Sequence, residues 1–296
     1  MIEKLVVWGG LRDLHSHRHI HRHFHHAARK MEIPTVWVED SPISVGHLTP
    51  FSTVIAADVW SEHLPVVPNV DYVLHNFNGS HHVCQGVNPD NLLRLQVYTN
   101  ASSGEEWDSF RLFDREARTL FQPWGSDLFA EEFIGPIYNS NPMEVTFVGA
   151  VWSDMYEGSD LGNFQMIEKL KRACSSKNLV FRNLTHVSDD DNVTAVRAAR
   201  LAPSFAGGWQ VENNYLPCRV FKNVSYGVLG VTNVPAAAKL MGFYPDETME
   251  EQFERALSLK RDDYLWWVRR QQRVAARFTY RQSIDAISRA LEEIKL

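Results

Sequence analysis

The sequence predicts an α/β protein built from two parallel-sheet domains, and three observations predict it. Short apolar runs alternate with helical patterns along the chain, as they do in stacked βα units. A stretch rich in Gly, Pro and Asn, Gly135–Pro142 (GPIYNSNP), breaks that alternation, which then restarts. The length of 296 residues suits two domains of about 150 residues each.

In the first domain, residues 1–140, Leu5–Trp8 is a strand followed by a Gly9-Gly10 turn and a helix over residues 14–31. Thr35–Val38 is the next strand and ends at Glu39-Asp40. Thr53–Ala56 and Tyr72–Leu74 are further short strands, with weaker patterns at Leu93–Tyr98 and Thr119–Gln122. The second domain begins at residue 141. Val145–Val148 is a strand ending in Gly149, and Asn163–Ser175 is an amphipathic helix. Leu179–Arg182 is a strand, and Asp190–Leu201 is a helix capped near Asp191 or Asn192. Arg219–Tyr226 reads as helix and Leu229–Thr232 as strand, and two long helices, 247–273 and 279–294, close the chain.

Composition narrows the function classes. The formal net charge of −6 gives no reason to expect nucleic-acid binding, so any phosphate site must be a local cluster of cations. Cys84, Cys174 and Cys218 are few and widely spaced, which argues against a disulfide framework. With no 18-residue apolar stretch and no signal-peptide pattern, the expectation is a cytoplasmic protein.

Seven histidines lie between residues 15 and 26. On a helix, His15, His19, His23 and His26 share one side, and His17, His21 and His25 form a second stripe. Three readings fit: a polar surface face, a role for one or two imidazoles in a ligand site, or a metal site. The interleaved Arg18, Arg22 and Arg29 oppose a metal. His15 and His17 follow the first strand directly and so lie nearest the sheet edge where open α/β folds bind ligands. A neutral imidazole there can take a proton from a hydroxyl. Asp40, at the end of the second strand, is a further candidate base.

The most informative segment is Ala202–Asn233, APSFAGGWQVENNYLPCRVFKNVSYGVLGVTN. Pro217 precedes a helix with Arg219 and Lys222 early in it, a combination of helix start and cationic side chains suited to a diphosphate. Pro203-Ser204, Phe221-Lys222-Asn223 and Gly230-Val231-Thr232 stand in an order that resembles the donor-binding region of GT-B glycosyltransferases. Three further pieces resemble that group: QPWGSDLF at Gln122–Phe129, Phe147-Val148-Gly149, and DYVLHN at Asp71–Asn76. Together the pieces span residues 71–233, over half the chain. The chain departs from the large retaining families in lacking their paired glutamates. Tyr215 and Asn223 stand in those places, and the loop after Gly149 carries no Arg or Lys.

The resemblance implies two Rossmann-like domains facing a central cleft, residues 1–140 on the acceptor side and 141–278 binding the nucleotide sugar. It also implies that the last helix, 279–296, packs back on the first domain. It assigns donor binding to Gly149, Tyr215, Arg219, Lys222, Asn223, Ser225 and His75, and acceptor activation to His15, His17 or Asp40. Arg219 and Lys222 would stabilise the departing diphosphate, so no metal or other cofactor is expected. The partners implied are a nucleoside-diphosphate sugar and a glycan or lipid-linked hydroxyl acceptor. Trp152 and Trp209 are stacking or core residues. Arg269, Arg273 and Arg277 beside Trp266 and Trp267 form either a solvated face or a peripheral membrane contact. The alternatives are an epimerase or phosphorylase acting on nucleotide sugars, and a histidine-rich metal-binding module. A dinucleotide-dependent dehydrogenase is disfavoured, because Gly9-Gly10 does not continue into GxGxxG.

Overall fold

Strand β1 (Lys4–Trp8) buries Leu5, Val6, Val7 and Trp8, the continuous apolar run of a strand covered on both faces. The computed structural model describes residues 2–12, 16–58, 61–75, 82–98, 112–140, 143–156, 159–244 and 246–296. Helix α1 (Ser16–Lys30) follows β1, and then come β2 (Thr35–Val38), β3 (Ser52–Ala57) and β4 (Asp71–His75). Helix α2 (His82–Gly86), β5 (Leu92–Gln96), β6 (Leu112–Asp114) and β7 (Thr119–Phe121) complete this part of the chain.

These strands form one sheet in the order β2–β1–β3–β4–β5–β7–β6, parallel throughout except for β6 against β7. The order runs outward in both directions from β1, so a topological switch point lies between β1 and β3, where such sheets bind ligands beyond the strand ends. Strand β6 was not legible in the sequence. It is a three-residue hairpin partner of β7, too short to show a period, and its turn is closed by Asp114 accepting from the Ala117 amide at 2.9 Å.

Alternation along the strands sends Val6, Trp8, Val54, Ala56, Tyr72 and Leu74 into one core layer with Leu48, Leu64, Val83 and Val87. Helix α1 packs on the sheet with Phe24 fully buried, its ring edge-on to Trp124 at 5.9 Å and Tyr280 at 5.0 Å. Tyr280 opens the last helix, α10 (Tyr280–Ile294), which lies against α1. Lys295 just beyond it pairs with Asp71 at 2.7 Å.

The chain divides into two compact units. One comprises Met1–Val97, Glu106–Asp127 and Tyr280–Leu296, and the other Tyr98–Glu105 and Leu128–Thr279. The stretch read as a linker falls inside the second unit. There Ile134 and Ile137 donate backbone hydrogen bonds to Ser225 and Gly227, and Asn139 donates to the carbonyls of Arg197 and Ala199.

The second unit is also α/β, with less regular strands. β8 (Glu144–Val148) is followed by short β9 (Met155–Tyr156) and β10 (Ser159–Asp160), which pair antiparallel. Helix α3 (Phe164–Ser176) leads to β11 (Val180–Leu184), which pairs parallel with β8. Helix α4 (Asp189–Ala198) is capped by Ser188, whose hydroxyl accepts from the Asp191 amide at 3.1 Å; the cap is neither Asp191 nor Asn192. Parallel bridges from Val145 to Leu201 and from Ser204 to Thr232 extend the strand order.

Residues 229–232 do not form the expected strand. Only the bridge of Thr232 to Ser204 remains, with Ser204 N–H donating to the Val231 carbonyl, and amides of this stretch go to side chains: Leu229 N–H donates to Tyr264 Oη, Gly230 N–H to Gln271 Oε1 and Thr232 N–H to Gln252 Oε1. The helices α5 (Gly208–Glu212), α6 (Cys218–Ser225), α7 (Pro235–Leu240), α8 (Met249–Ser258) and α9 (Arg261–Ala275) complete the unit.

The helix expected over 247–273 is two helices, α8 and α9. The break has a clear cause. Buried Arg200, its guanidinium 3.7 Å from the Tyr138 ring centre and 4.3 Å from that of Tyr264, donates to the Leu259 carbonyl at 3.0 Å and so caps α8. Asp262 and Asp263 then favour a fresh helix start. Cys84, Cys174 and Cys218 are all free thiols. Among the described residues no helix is long and apolar enough to cross a membrane.

Candidate functional site

In the first unit, three histidines gather at the carboxyl edge of the sheet. Gly9 and Gly10 end β1 with positive φ values of 81° and 71°, a turn that glycine adopts without a Cβ penalty. The turn brings α1 back over the strand end, so His21, one turn after His17, lies on the Gly9 carbonyl. Its Nδ1 is 2.9 Å from Gly9 O, and its Nε2 is 2.8 Å from Nε2 of His75, the last residue of β4. His17 packs edge-on to His75 at 5.3 Å between ring centres, and Trp124 does so at 5.2 Å. All three imidazoles are buried. Burial pushes the pKa of His21 down to about 4, against a raising contribution from Gly9. It holds His75 well below the ordinary histidine value, with His21 and His17 acting in the same direction. Both rings are therefore neutral at neutral pH. Nδ1 of His75 has no hydrogen-bond partner among the described residues.

The histidine-rich segment is thus not a uniform surface face. His17, His21 and His23 are buried, the last against Tyr280 at 5.2 Å, while His19 and His26 are exposed. His25 lies beside Trp37 at 6.0 Å, its pKa lowered by burial and by His26 and Arg29. His15 lies outside the described residues. Among the described residues, no three His, Cys, Asp or Glu side chains are arranged to hold a metal ion. Asp40 is occupied by its surroundings: it accepts from Trp8 Nε1 at 2.6 Å, from the His63 amide at 3.1 Å and from His63 Nδ1 at 3.2 Å. The carboxylate ties the end of β1 to the loop that follows β3.

In the second unit, Gly149, Tyr215 and Arg219 come together, also at a carboxyl edge. Gly149 ends β8, and a Cβ there would lie 2.5 Å from Arg219 Nη2, so the guanidinium rests directly on the glycine. Its Cζ is 4.7 Å from the Phe147 ring centre, and Nη1 donates to the Phe205 carbonyl at 3.3 Å. No carboxylate among the described residues pairs with Arg219. Burial pulls its pKa below the usual guanidinium value, with Cys218 and Tyr215 opposing, and it remains charged. The Tyr215 phenol is pushed well above its ordinary value by burial, Cys218 and Tyr98, against Arg219.

Two loops frame Arg219. Asn163 holds the one after Gly149, accepting from the Trp152 amide at 3.0 Å and donating to the Ala150 carbonyl at 3.1 Å. Asn233 holds the other through both the amide and the carbonyl of Ala206, each at 2.9 Å. A Cβ on Gly207 would lie 2.9 Å from Trp152 Cζ2, so the two loops touch. Trp152 and Trp209 are partly exposed beside them, and Trp209 meets Tyr98 edge-on at 4.8 Å.

The later residues of α6 face elsewhere. Asn223, one turn after Arg219, is 2% exposed and donates to the Ala202 carbonyl at 2.7 Å. Ser225 is fully buried, and its hydroxyl donates to the Lys222 carbonyl at 2.7 Å. Because residues 202–205 run toward the carboxyl edge, Arg219 sits at that edge and Asn223 deeper, inside the packing. Lys222 is half-buried on the same helix, with no side-chain partner among the described residues. On α9, Arg269 and Arg273 are exposed, as are Trp266 and, past the helix end, Arg277, whereas Trp267 is buried.

Sequence reasoning passed over His21. The available signal was its i, i+4 spacing from His17 directly after a Gly-Gly turn, which puts both on the helix face returning to β1. Phe205, whose carbonyl accepts from Arg219, was not singled out, and Phe147 was read only as part of the strand-end motif Phe147-Val148-Gly149, because apolar strand-end residues look like any core. Compared with known proteins, the chain matches no family model and no curated protein.

Proposed function

We propose that the protein is a glycosyltransferase that takes a sugar from a nucleoside diphosphate and places it on a hydroxyl acceptor. One observation carries the reading. Arg219 is a half-buried guanidinium with no carboxylate partner among the described residues, resting on a glycine at a parallel-strand end. A partly desolvated charge without a counter-ion is unfavourable. A diphosphate supplies that counter-ion and matches the planar fork with two oxygens. Arg219 then stabilises the charge that develops on the leaving diphosphate. Lys222 adds a second cation on the same helix, and Trp152 and Trp209 offer faces for a base or sugar ring.

The GT-B arrangement, two Rossmann-like domains facing a cleft, belongs to the same proposal. So do a cytoplasmic location, a glycan or lipid-linked acceptor, and chemistry that needs no metal. Peripheral membrane contact through Arg269, Arg273 and Arg277 would suit a lipid-linked acceptor. The base that activates the acceptor hydroxyl is His15 or His17 rather than Asp40, because the Asp40 oxygens already accept from Trp8 and His63.

The test is thermal denaturation of the full chain with UDP, GDP, CDP, ADP or dTDP, with and without manganese. One diphosphate should raise the melting temperature by mass action, and Arg219→Ala should abolish that shift. No shift with any nucleotide, or an equal shift in Arg219→Ala, would remove the basis of the reading.

A further inference from the structure

The hydrogen bonds of the buried histidine pair fix where its protons sit. A backbone carbonyl only accepts, so the 2.9 Å contact between His21 Nδ1 and Gly9 O places a proton on Nδ1 of His21. In a neutral ring, Nε2 of His21 is then a bare acceptor. The 2.8 Å contact between the two Nε2 atoms needs one donor, and that donor must be Nε2–H of His75. Nδ1 of His75 is left as a lone pair on a fully buried residue, with no partner among the described residues.

We infer that His21 is a positioning residue: it locks His75 in the Nε2–H tautomer and so makes His75 Nδ1 an obligate hydrogen-bond acceptor for a neutral donor group. Such an atom welcomes an O–H or N–H and rejects a phosphate or carboxylate oxygen, since two acceptors would face each other in a dry setting. Burial keeps both rings neutral, which preserves the chain of donors from His75 through His21 to Gly9. On the transferase reading the donor group is a sugar hydroxyl. That last identification rests on the proposed function, but the tautomer assignment does not.

The experiment reads the ring nitrogens directly. In the full chain with isotope-labelled histidine, long-range proton–nitrogen correlation at neutral pH distinguishes the two tautomers, and His75→Gln and His21→Gln assign the signals. Expected are Nε2–H for His75 and Nδ1–H for His21. Replacing His21 by Gln keeps an acceptor for His75 Nε2–H and should leave the His75 tautomer in place. His21→Leu removes the acceptor and should let both His75 tautomers appear. A His75 ring protonated on Nδ1, or a His75 pattern unchanged in His21→Leu, overturns the inference. If His21→Leu does not fold, the wild-type tautomers alone decide. No nucleotide or sugar is needed, so the outcome is separate from the nucleotide-binding test at Arg219.

Discussion

Two strand-end clusters in this molecule solve opposite electrostatic problems with the same architecture. In the first unit, desolvation empties the charge from His21 and His75, and their hydrogen bonds run in series to a single backbone carbonyl. In the second, desolvation lowers the pKa of Arg219 but cannot remove its charge, because a guanidinium starts far above neutral pH. Desolvation therefore leaves neutral imidazoles in one place and a charged guanidinium in the other. The side chain's starting pKa decides which, and with it the kind of ligand group each cluster can hold.

The largest expected effect separates the two clusters by pH. An unfolded histidine binds its proton near pH 6.5, whereas folded His21 resists until about 4. Between those values the unfolded state holds more protons, so stability is full above the window and falls as pH drops through it. His21 alone accounts for on the order of 3 kcal/mol, with His75 adding in the same direction. Denaturant melts across this range should show the decline, flattened in His21→Gln. Profiles of equal slope would mean that His21 is not held neutral by the fold.

Next in size is the cation. Arg219→Ala should weaken binding of the cognate nucleoside diphosphate by about ten- to a hundredfold, the loss of a charge-assisted pair. Calorimetric titration checks this, and Arg219→Lys should recover only part, since an ammonium lacks the planar fork. Gly149→Ala probes the same contact from its other side. The new methyl group displaces the guanidinium tip, so affinity should fall by roughly tenfold, and because Gly149 lies at φ 153°, where a side chain is strained, the melting temperature should fall as well.

The smallest effect on binding belongs to Asn223→Ala. It should destabilise the protein by about 1 kcal/mol through the lost bond to Ala202, with nucleotide affinity nearly unchanged. If Asn223→Ala instead cost as much affinity as Arg219→Ala, the division of α6 into an edge residue and a packing residue would be wrong.

The sequence alone determined much of the local structure. Apolar runs covered on both faces marked β1, β3 and β4, and the amphipathic pattern marked α3, because burial imposes its period on the residues themselves. Resemblance of motifs brought Gly149, Tyr215 and Arg219 into one list, and in the structure Arg219 lies against Gly149, with Tyr215 near enough to act on its charge. Tertiary structure decided the rest. Residues 229–232 kept only a bridge to Ser204, the amides of Leu229, Gly230 and Thr232 going to the side chains of Tyr264, Gln271 and Gln252, and Arg200 ended α8 where no Gly or Pro announced a break. His21 and His75 meet across a separation of 54 residues. No local pattern records that meeting, because which strand end lies beside which helix is settled by sheet order, and sheet order is a property of the whole packed unit.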